Sequence, residues 1–275
     1  MQSDPEICKE RGKCMTILDE LANHARHRVR QSCMEKPLSE LMTQAAEMET
    51  KNAFNFEKAL GTKELSFICE VKRASPSKGL IAAKFPYLEI AQEYEQAGAG
   101  AVSVLTEPKF FRGKDQYLSE IAGQIDIPVL RKDFIVDPYQ IYEAKLLGAD
   151  AVLLICSLLS ADQLRKYINI CDQLGLSALV EAHSEAEVAM ALRAGTRVLG
   201  VNNRNLKNFE VDMMNCIRLR EFVPREVLFV AESGIHTPVD IRLLQTAGVD
   251  AVLIGEALMR SQDKKKELQW LRGFL

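Results

Sequence analysis

Lys72, Lys132 and Glu181 each stand where a run of apolar residues gives way to polar ones. Short runs of this kind, rich in Val, Ile and Leu, are typical of buried parallel strands. When parallel strands close into a barrel, their carboxyl ends meet at one mouth, where enzymes of this architecture carry their catalytic residues. Ammonium and carboxylate groups brought together there can act as general acid and general base. The pattern therefore predicts an enzyme that transfers protons.

Eight apolar runs recur along the chain and predict eight strands. Segments with helical spacing separate them, so the order is βαβα throughout and implies parallel strands joined by right-handed crossovers. Eight such units predict an α/β protein with one domain over residues 1–275, a (β/α)8 TIM barrel. A doubly wound open sheet is the alternative, and it explains eight even units less well. The predicted strands are Phe67–Lys72, Ala101–Leu105, Pro128–Lys132, Ala151–Ile155, Ser177–Glu181, Val198–Asn202, Val227–Ala231 and Ala251–Ile254.

A weak internal repeat supports the barrel. A glycine follows Ala or Leu shortly before every second predicted strand, at Gly98, Gly148, Gly195 and Gly248. We expect each glycine to end a helix in the left-handed conformation, which is costly for other residues.

Residues 1–62 precede the first predicted strand, and we interpret them as a helical N-terminal extension that covers the barrel mouth. One apolar stripe at helical spacing predicts a first helix, and the segment from Leu38 to Met48 suggests a second. The stripe consists of Met15, Ile17, Leu18, Leu21, Ala22 and Ala25. Such helices either pack on the barrel wall or form a lid, in which case Phe54, Phe56 and Leu60 would reach an apolar ligand.

Composition excludes several classes of protein. A net charge of -3, with 47% hydrophobic and 27% charged residues, describes a soluble globular protein without the basic excess of nucleic-acid binders. No run approaches the roughly 18 apolar residues of a membrane span, and no signal peptide is evident, which predicts a cytoplasmic protein. The seven cysteines are scattered, and His24 and His27 lack a third ligand, so we expect neither disulfides nor a metal site.

Two glycine-containing loops predict a phosphate site. The loops that follow strands seven and eight of such barrels often bind phosphate through backbone N–H groups. Here these loops contain Ser233, Gly234 and Gly255. The glycines allow the backbone to approach a ligand, and Ser233 adds a hydroxyl group.

Several longer motifs resemble those of the indole-3-glycerol phosphate synthase family. Residues 70–79, EVKRASPSKG, are similar to that family's signature, and five later stretches resemble its other motifs in the same order. These are LTEPKFF at 105–111, LRKDFI at 130–135, LVE at 179–181, GVNNRNL at 200–206 and AESGI at 231–235. The resemblance covers roughly residues 50–262, and the helical N-terminal part matches more weakly.

The resemblance implies the conversion of 1-(2-carboxyphenylamino)-1-deoxyribulose 5-phosphate to indole-3-glycerol phosphate, carbon dioxide and water in tryptophan biosynthesis. It implies no cofactor and no metal. By resemblance Lys132 is the general acid, Glu181 is the general base, and Lys72 binds the substrate carboxylate and is a candidate second acid. How these three residues and Glu70 divide the acid and base steps stays open at this point.

The remaining expected site residues also come from the resemblance. The residues around the ribulose hydroxyls and the anthranilate carboxylate are matched by Asn202, Arg204 and Glu232. The apolar walls are matched by Phe111, Leu153 and Leu206. The phosphate site is matched by Ser75, Ser233, Gly234, Gly255 and Glu256. Some family members have serine in place of Glu256, whose carboxylate would repel phosphate. We therefore expect only its backbone N–H to contribute.

Two other functions remain as alternatives. One is another phosphate-binding barrel enzyme, of the aldolase type, in which Lys132 forms a Schiff base and so must be unprotonated. The other is a non-catalytic sugar-phosphate binder, because fold alone does not prove activity. The chain ends soon after the eighth unit, which predicts a monofunctional enzyme. The sequence does not reveal an oligomeric state, and a monomer is the default expectation. Other tryptophan-pathway enzymes are the candidate protein partners; no nucleic acid and no membrane is expected.

Overall fold

The computed structural model of the chain describes residues 16–48, 53–205 and 209–273. Eight parallel strands form a closed barrel in which β1 pairs with both β2 and β8. The predicted (β/α)8 fold is therefore confirmed. The strands are β1 (Ser66–Val71), β2 (Ala101–Leu105), β3 (Val129–Lys132), β4 (Ala151–Ile155), β5 (Ser177–Ala182), β6 (Val198–Asn202), β7 (Leu228–Glu232) and β8 (Ala251–Ile254).

Helices precede the barrel and connect its strands. Three of them belong to the N-terminal extension: α1 (Ile17–Glu35), α2 (Leu38–Glu47) and α3 (Asn55–Leu60). The others are α4 (Tyr87–Gln96), α5 (Asp115–Ala122), α6 (Tyr139–Leu146), α7 (Ala161–Leu174), α8 (Glu185–Ala194), α9 (Met214–Arg220), α10 (Pro238–Thr246), α11 (Glu256–Arg260) and α12 (Lys264–Leu271).

Side chains alternate between the two faces of the barrel wall, as the two-residue period of a strand requires. Residues such as Val129 and Val180 point outwards and pack against the helices. Residues such as Ile68, Leu130 and Leu179 form a separate apolar cluster inside the barrel. Two residues further along each of these strands, the same inward face presents a charged side chain at the mouth.

The strand bounds agree closely with the sequence pattern. The second, fourth, sixth and eighth strands have the predicted ends, and the others differ by one residue at one end or at both. A hairpin of Ala74–Ser75 with Gly79–Leu80 was not predicted, because two-residue strands are too short to show a periodicity. The four glycines before alternate strands have φ between 76° and 88°, which confirms the predicted left-handed helix ends.

The first two helices of the extension take different places. In α1, Leu21 and Ala25 join the apolar cluster inside the barrel, whereas α2 packs against α6 on the outer wall. Met15, at the start of the apolar stripe, lies outside the described residues. Although α1 has 19 residues, no helix within the described ranges is both long and apolar enough to cross a membrane.

The third helix closes the opposite end of the barrel. Arg197, which precedes β6, forms two hydrogen bonds of 2.9 Å with Glu57 of α3. The backbone N–H of Phe54 donates to the carbonyl of Gly175, which precedes β5, at 3.1 Å. The expectation that Phe54, Phe56 and Leu60 reach a ligand is therefore wrong: they lie at the amino-terminal ends of the strands, where Phe56 and Leu60 are fully buried.

Replacing Leu60 by alanine should destabilise the protein. Leu60 is fully buried in the inner apolar cluster, so we expect the substitution to lower the free energy of unfolding by about 2–5 kcal/mol. Urea unfolding measures this difference. Leu243→Ala, at a position that is 42% exposed on α10, is the control and should cost far less. Equal losses in the two variants would contradict the packing of α3 under the barrel.

Candidate active site

A pocket at the barrel mouth brings together the residues that the sequence singled out. All described members of the predicted set line it: Glu70, Lys72, Ser75, Phe111, Lys132, Leu153, Glu181, Asn202, Arg204, Glu232, Ser233, Gly234, Gly255 and Glu256. Leu206, the remaining member, lies outside the described residues. The strand period explains this convergence, because Glu70, Lys132, Glu181 and Glu232 continue the inward faces of β1, β3, β5 and β7.

The centre of the pocket is the Lys132 ammonium. Its Nζ lies 3.6 Å from Glu181 Oε2 and 3.4 Å from Glu232 Oε2. Burial lowers the pKa of Lys132, but the charges of Glu232, Glu181 and Glu70 outweigh burial, so that the pKa lies above its usual value. The amine is therefore protonated at neutral pH.

The carboxylates around Lys132 differ in their affinity for protons. Burial alone would raise the pKa of Glu70, but Lys72, which forms an ion pair with it, and Lys132 lower it below the usual value. Burial raises the pKa of Glu232 to about 7, because the nearby charges of Glu181 and Glu70 add to the effect of burial and Lys132 offsets it only in part. The site thus contains an ionised carboxylate and one that titrates near neutrality.

Two glycines make room for these carboxylates. A Cβ atom at Gly200 on β6 would collide with Oε1 of Glu232. A Cβ atom at Gly255 would collide with Oε1 of Glu70 and would lie 2.8 Å from Nζ of Lys72. Side chains at either position would therefore displace the charged cluster.

One side of the pocket is apolar. Phe111 and Phe134 pack with ring centroids 6.0 Å apart, next to Leu153. The loop that carries Phe111 is fixed by Glu107, whose buried carboxylate accepts hydrogen bonds from the N–H groups of residues 109, 110 and 111 at 2.7–3.0 Å. Leu18 and Leu21 of α1 complete this side. The surface suits a flat aromatic group.

Another part of the pocket consists of loops. Ser233 and Gly234 have φ values of 67° and 81°, and they follow Glu232 directly. Gly255 and Glu256 lie beside them in the pocket, together with Ser75. Glu256 forms ion pairs with Arg260 at 3.1 Å and with Lys78 at 3.5 Å. Burial would raise the pKa of Glu256, but Arg260 and Lys78 lower it, so the side chain is ionised.

Comparison with known proteins identifies the family. The family model described as "Indole-3-glycerol phosphate synthase" matches residues 18–271. The chain belongs to the indole-3-glycerol phosphate synthase family. A relative of that name from Ruminiclostridium cellulolyticum is 59% identical over 257 residues, which cover 94% of this chain and 99% of the relative. Another, from Lachnoclostridium phytofermentans, is 50% identical over 270 residues, covering 94% and 100%.

Membership of the indole-3-glycerol phosphate synthase family makes the chain an enzyme, a decarboxylating carbon–carbon lyase of tryptophan biosynthesis, as the sequence motifs implied. Solved structures with the same fold are far more distant. A 3-hexulose-6-phosphate synthase from Salmonella typhimurium has a TM-score of 0.63 at 15% identity, covering 76% of this chain and 97% of that one. Thiamine phosphate pyrophosphorylase from Pyrococcus furiosus has a TM-score of 0.57 at 19% identity, covering 81% and 96%. These likenesses concern the barrel fold alone.

In this member of the synthase family, two polar contacts that the sequence did not reveal hold α1 at the mouth. Arg28 donates hydrogen bonds of 2.6 and 3.0 Å to the buried carboxylate of Asp133, which directly follows Lys132. His24 Nδ1 lies 3.0 Å from Oε1 of Glu107. The four-residue spacing of His24 and Arg28 places them on one helix face, beside buried Leu21 and Ala25. The spacing of these two polar residues was the only sign in the sequence that this face of α1 makes polar contacts with the barrel.

Other residues of the synthase pocket were also missed. Phe134, Ile155 and Phe209 line it, although no motif argument had singled them out. His183, which directly follows β5, also lies beside Glu181. No group of three or more His, Cys, Asp and Glu residues that could hold a metal ion occurs in the described part of the chain.

The raised pKa of Glu232 predicts a pH-dependent effect of Glu232→Gln on stability. A carboxyl group whose pKa rises on folding contributes stability below its unfolded pKa, near 4.5, and loses that contribution as the pH rises through 7. Glutamine does not titrate, so the variant should gain stability relative to the wild type between pH 5 and 8, approaching roughly 3 kcal/mol.

Urea unfolding of both proteins across this pH range measures the difference. Glu221→Gln, at an exposed position, is the control and should show a difference that does not change with pH. A Glu232→Gln difference that is flat, or that falls with rising pH, would contradict the raised pKa.

Proposed function

We propose that the chain converts 1-(2-carboxyphenylamino)-1-deoxyribulose 5-phosphate to indole-3-glycerol phosphate, carbon dioxide and water, with Lys132 as the general acid and Glu181 as the general base. The observation that carries this proposal is the largely buried, protonated Lys132 between Glu181 and Glu232, in a pocket that also has an apolar wall and glycine-containing loops. The substrate has matching parts: a reacting ketone, an aromatic ring and a phosphate.

Ring closure requires the ketone oxygen to gain a proton while an aromatic carbon attacks the ketone carbon. The substrate carboxylate then leaves as carbon dioxide, and the new hydroxyl group leaves as water after gaining a proton. A protonated amine suits both acid steps, and the raised pKa of Lys132 supports this role because the surrounding carboxylates keep the amine charged. The positive charge of Lys132 also stabilises the negative charge that develops on the ketone oxygen.

Formation of the indole double bond requires loss of a proton to a base. Glu181 is suited to this role, since its carboxylate is buried and Oε2 lies 3.6 Å from the Lys132 amine. The proton that Glu181 takes can return to Lys132 after the amine has donated its own. Because the acid and the base are adjacent, one proton that the base takes from the substrate can be used again by the acid in the same reaction.

Lys72 and Arg204 are suited to the substrate carboxylate. Lys72 lies at the end of β1 and is held by its ion pair with Glu70, which leaves an ammonium proton for a ligand. Arg204 lines the same pocket and can form a bidentate pair with a carboxylate. Asn202 Oδ1 accepts a hydrogen bond of 3.0 Å from the Arg204 backbone N–H, which leaves the Asn202 amide group for a substrate hydroxyl. Glu232 is the second candidate for hydroxyl binding.

Phe111 and Leu153 are suited to the anthranilate ring, which they would hold away from water. Exclusion of water favours decarboxylation, because a carboxylate is better solvated than the transition state in which its charge moves into the ring. Leu18 and Leu21 of α1 extend this apolar surface over the ring.

The phosphate would lie against Ser75, Ser233, Gly234 and Gly255. Backbone N–H groups and the two hydroxyls of the serines can donate hydrogen bonds to phosphate oxygens. Glu256 would contribute its backbone N–H only, because its carboxylate is engaged by Lys78 and Arg260.

The two alternative functions fit the site less well. A Schiff-base enzyme needs an unprotonated lysine, whereas the carboxylates around Lys132 raise its pKa. A binding protein has no need of buried acid and base groups at the centre of its pocket, where unpaired charges are costly. Both features favour the lyase.

Lys132→Ala should abolish most of the turnover. We expect kcat to fall by at least about 10²-fold, because a general acid of this kind typically contributes 10² to 10⁴ in rate. The rise of indole fluorescence with 1-(2-carboxyphenylamino)-1-deoxyribulose 5-phosphate measures kcat. Lys166→Ala, at an exposed position of α7, is the matched control and should keep wild-type kcat.

Circular dichroism should confirm that the Lys132→Ala protein is folded. A folded variant with kcat within tenfold of the wild type would show that Lys132 is not the acid. A wild-type protein that binds the substrate without turnover would instead favour the sugar-phosphate binder.

Glu256→Gln should improve substrate binding slightly. The carboxylate lies near the proposed phosphate site, and the repulsion of two like charges there is worth about 1 kcal/mol, so we expect KM to fall by up to about fivefold at low salt. The kcat value should not change. The exposed Glu226→Gln is the control for the change in net charge.

KM should be measured at low and at high ionic strength, since screening removes the difference. A KM that rises tenfold in Glu256→Gln would show that the side chain itself assists substrate binding.

A further inference from the structure

His183 lies directly after β5 and connects Glu181 with a second carboxylate. Its Nε2 lies 3.4 Å from Oε1 of Glu181, and its Nδ1 lies 3.2 Å from Oε2 of Glu187 on α8. The same Glu187 oxygen accepts a hydrogen bond of 2.7 Å from the His183 backbone N–H, which fixes the orientation of the pair. Because Oε2 of Glu181 faces Lys132, the two oxygens of Glu181 contact different partners.

This row of residues runs from the buried site towards solvent. The Glu181 side chain is 2% exposed, whereas the His183 and Glu187 side chains are 20% and 23% exposed. The Nε2 atom itself is buried, and within the described ranges it makes no hydrogen bond. Its contact with Glu181 is an ion pair. A polar cleft of about 470 Å³, lined by residues that include His183, Ser184, Glu187 and Asn215, borders this row.

The proposed reaction, on which this inference rests, consumes one proton from solvent in each turnover. Two protons are given to oxygen, one to the ketone and one to the departing hydroxyl, and one proton is taken when the double bond forms. The carboxylate leaves as carbon dioxide and returns none. The proton taken by Glu181 can replace one of those that Lys132 gives, but the other must enter from outside, while the substrate covers the mouth.

We propose that His183 is the entry point of this proton. Nε2–H of His183 gives its proton to Oε1 of Glu181. After the carboxyl group turns about its Cγ–Cδ bond, the same proton faces Lys132 and passes to the amine, which restores the acid. One proton from solvent then restores the imidazolium form of His183, with the assistance of Glu187. Each step moves a proton between two heteroatoms without any change in oxidation state. His183 acts through Glu181 and does not contact the substrate, so it is a positioning and proton-relay residue.

The charges around His183 favour a proton on the ring. Burial lowers the pKa of His183, but the hydrogen bond to Glu187 and the charges of Glu181, Glu187 and Glu232 outweigh burial, so that the pKa lies above its usual value. The charged groups that face the ring or the cleft beside it are Glu181 on β5, Glu187 on α8, Glu232 on β7, Lys132 on β3, and Glu210 and Asp212 before α9. Acidic groups predominate, which stabilises the imidazolium form.

The test compares His183→Gln with the wild type in ordinary and in deuterated water. We expect kcat to fall by about tenfold or more, less than the 10² to 10⁴ of a residue that exchanges protons with substrate directly, while KM stays within about twofold. The ratio of kcat in ordinary to deuterated water should increase, because proton entry becomes slower than the chemical steps. Glu187→Gln should change kcat and this ratio in the same direction, and the exposed His27→Gln should change neither.

Chemical rescue separates a relay from a structural role. In His183→Ala, added imidazole can enter through the polar cleft and should restore at least part of kcat, with a dependence on the concentration of its protonated form. In Glu181→Gln, imidazole should restore nothing, because the next residue of the relay is missing.

A His183→Gln kcat within twofold of the wild type would overturn the relay. It would also be overturned by a loss of kcat without imidazole rescue and without a larger isotope ratio, since the ring would then only support Glu181. Wild-type turnover that survives Glu181→Gln would instead refute the assignment of the base in the proposed function.

Discussion

The placement of one largely buried ammonium among three buried carboxylates constrains much of this structure. Charges are costly to bury unless they are paired, so Lys132 can occupy the barrel interior only if Glu70, Glu181 and Glu232 are held close to it. That requirement explains why glycines occupy positions 200 and 255, where any side chain would displace a carboxylate. It also explains why Lys132 is protonated at neutral pH.

The charged cluster depends in turn on the neighbours of its strands. Asp133 follows Lys132, and it is held by Arg28 of α1 and by the Thr106 hydroxyl at 2.7 Å. Arg131, on the outer face of β3, forms ion pairs with Asp115 and Glu143 at 2.8 and 2.7 Å. The end of β3 is thus fixed from both faces of the barrel wall. A small displacement of an acid group lowers the rate greatly, so this rigidity serves the chemistry.

Much of this arrangement was visible in the sequence. The apolar runs predicted the barrel because burial of both faces of a parallel strand requires continuous apolar residues, and the motifs indicated which strand ends carry charge. Contacts between distant segments could not be predicted, because they depend on how helices pack. Three features could not be predicted for this reason: the pairing of Arg28 with Asp133, the position of α3 under the barrel and the contact of His183 with Glu181. Leu206 lies outside the described residues and its role stays a prediction.

The N-terminal extension contacts both ends of the barrel, with α1 at the mouth and α3 below. The surfaces that receive these helices do not exist until the strands have paired, and closure of the barrel needs β8, near the end of the chain. During synthesis, the extension leaves the ribosome before the barrel strands and therefore cannot dock until they have paired. Its apolar residues are exposed for that time, which makes the nascent extension the part of the chain most in need of protection by chaperones.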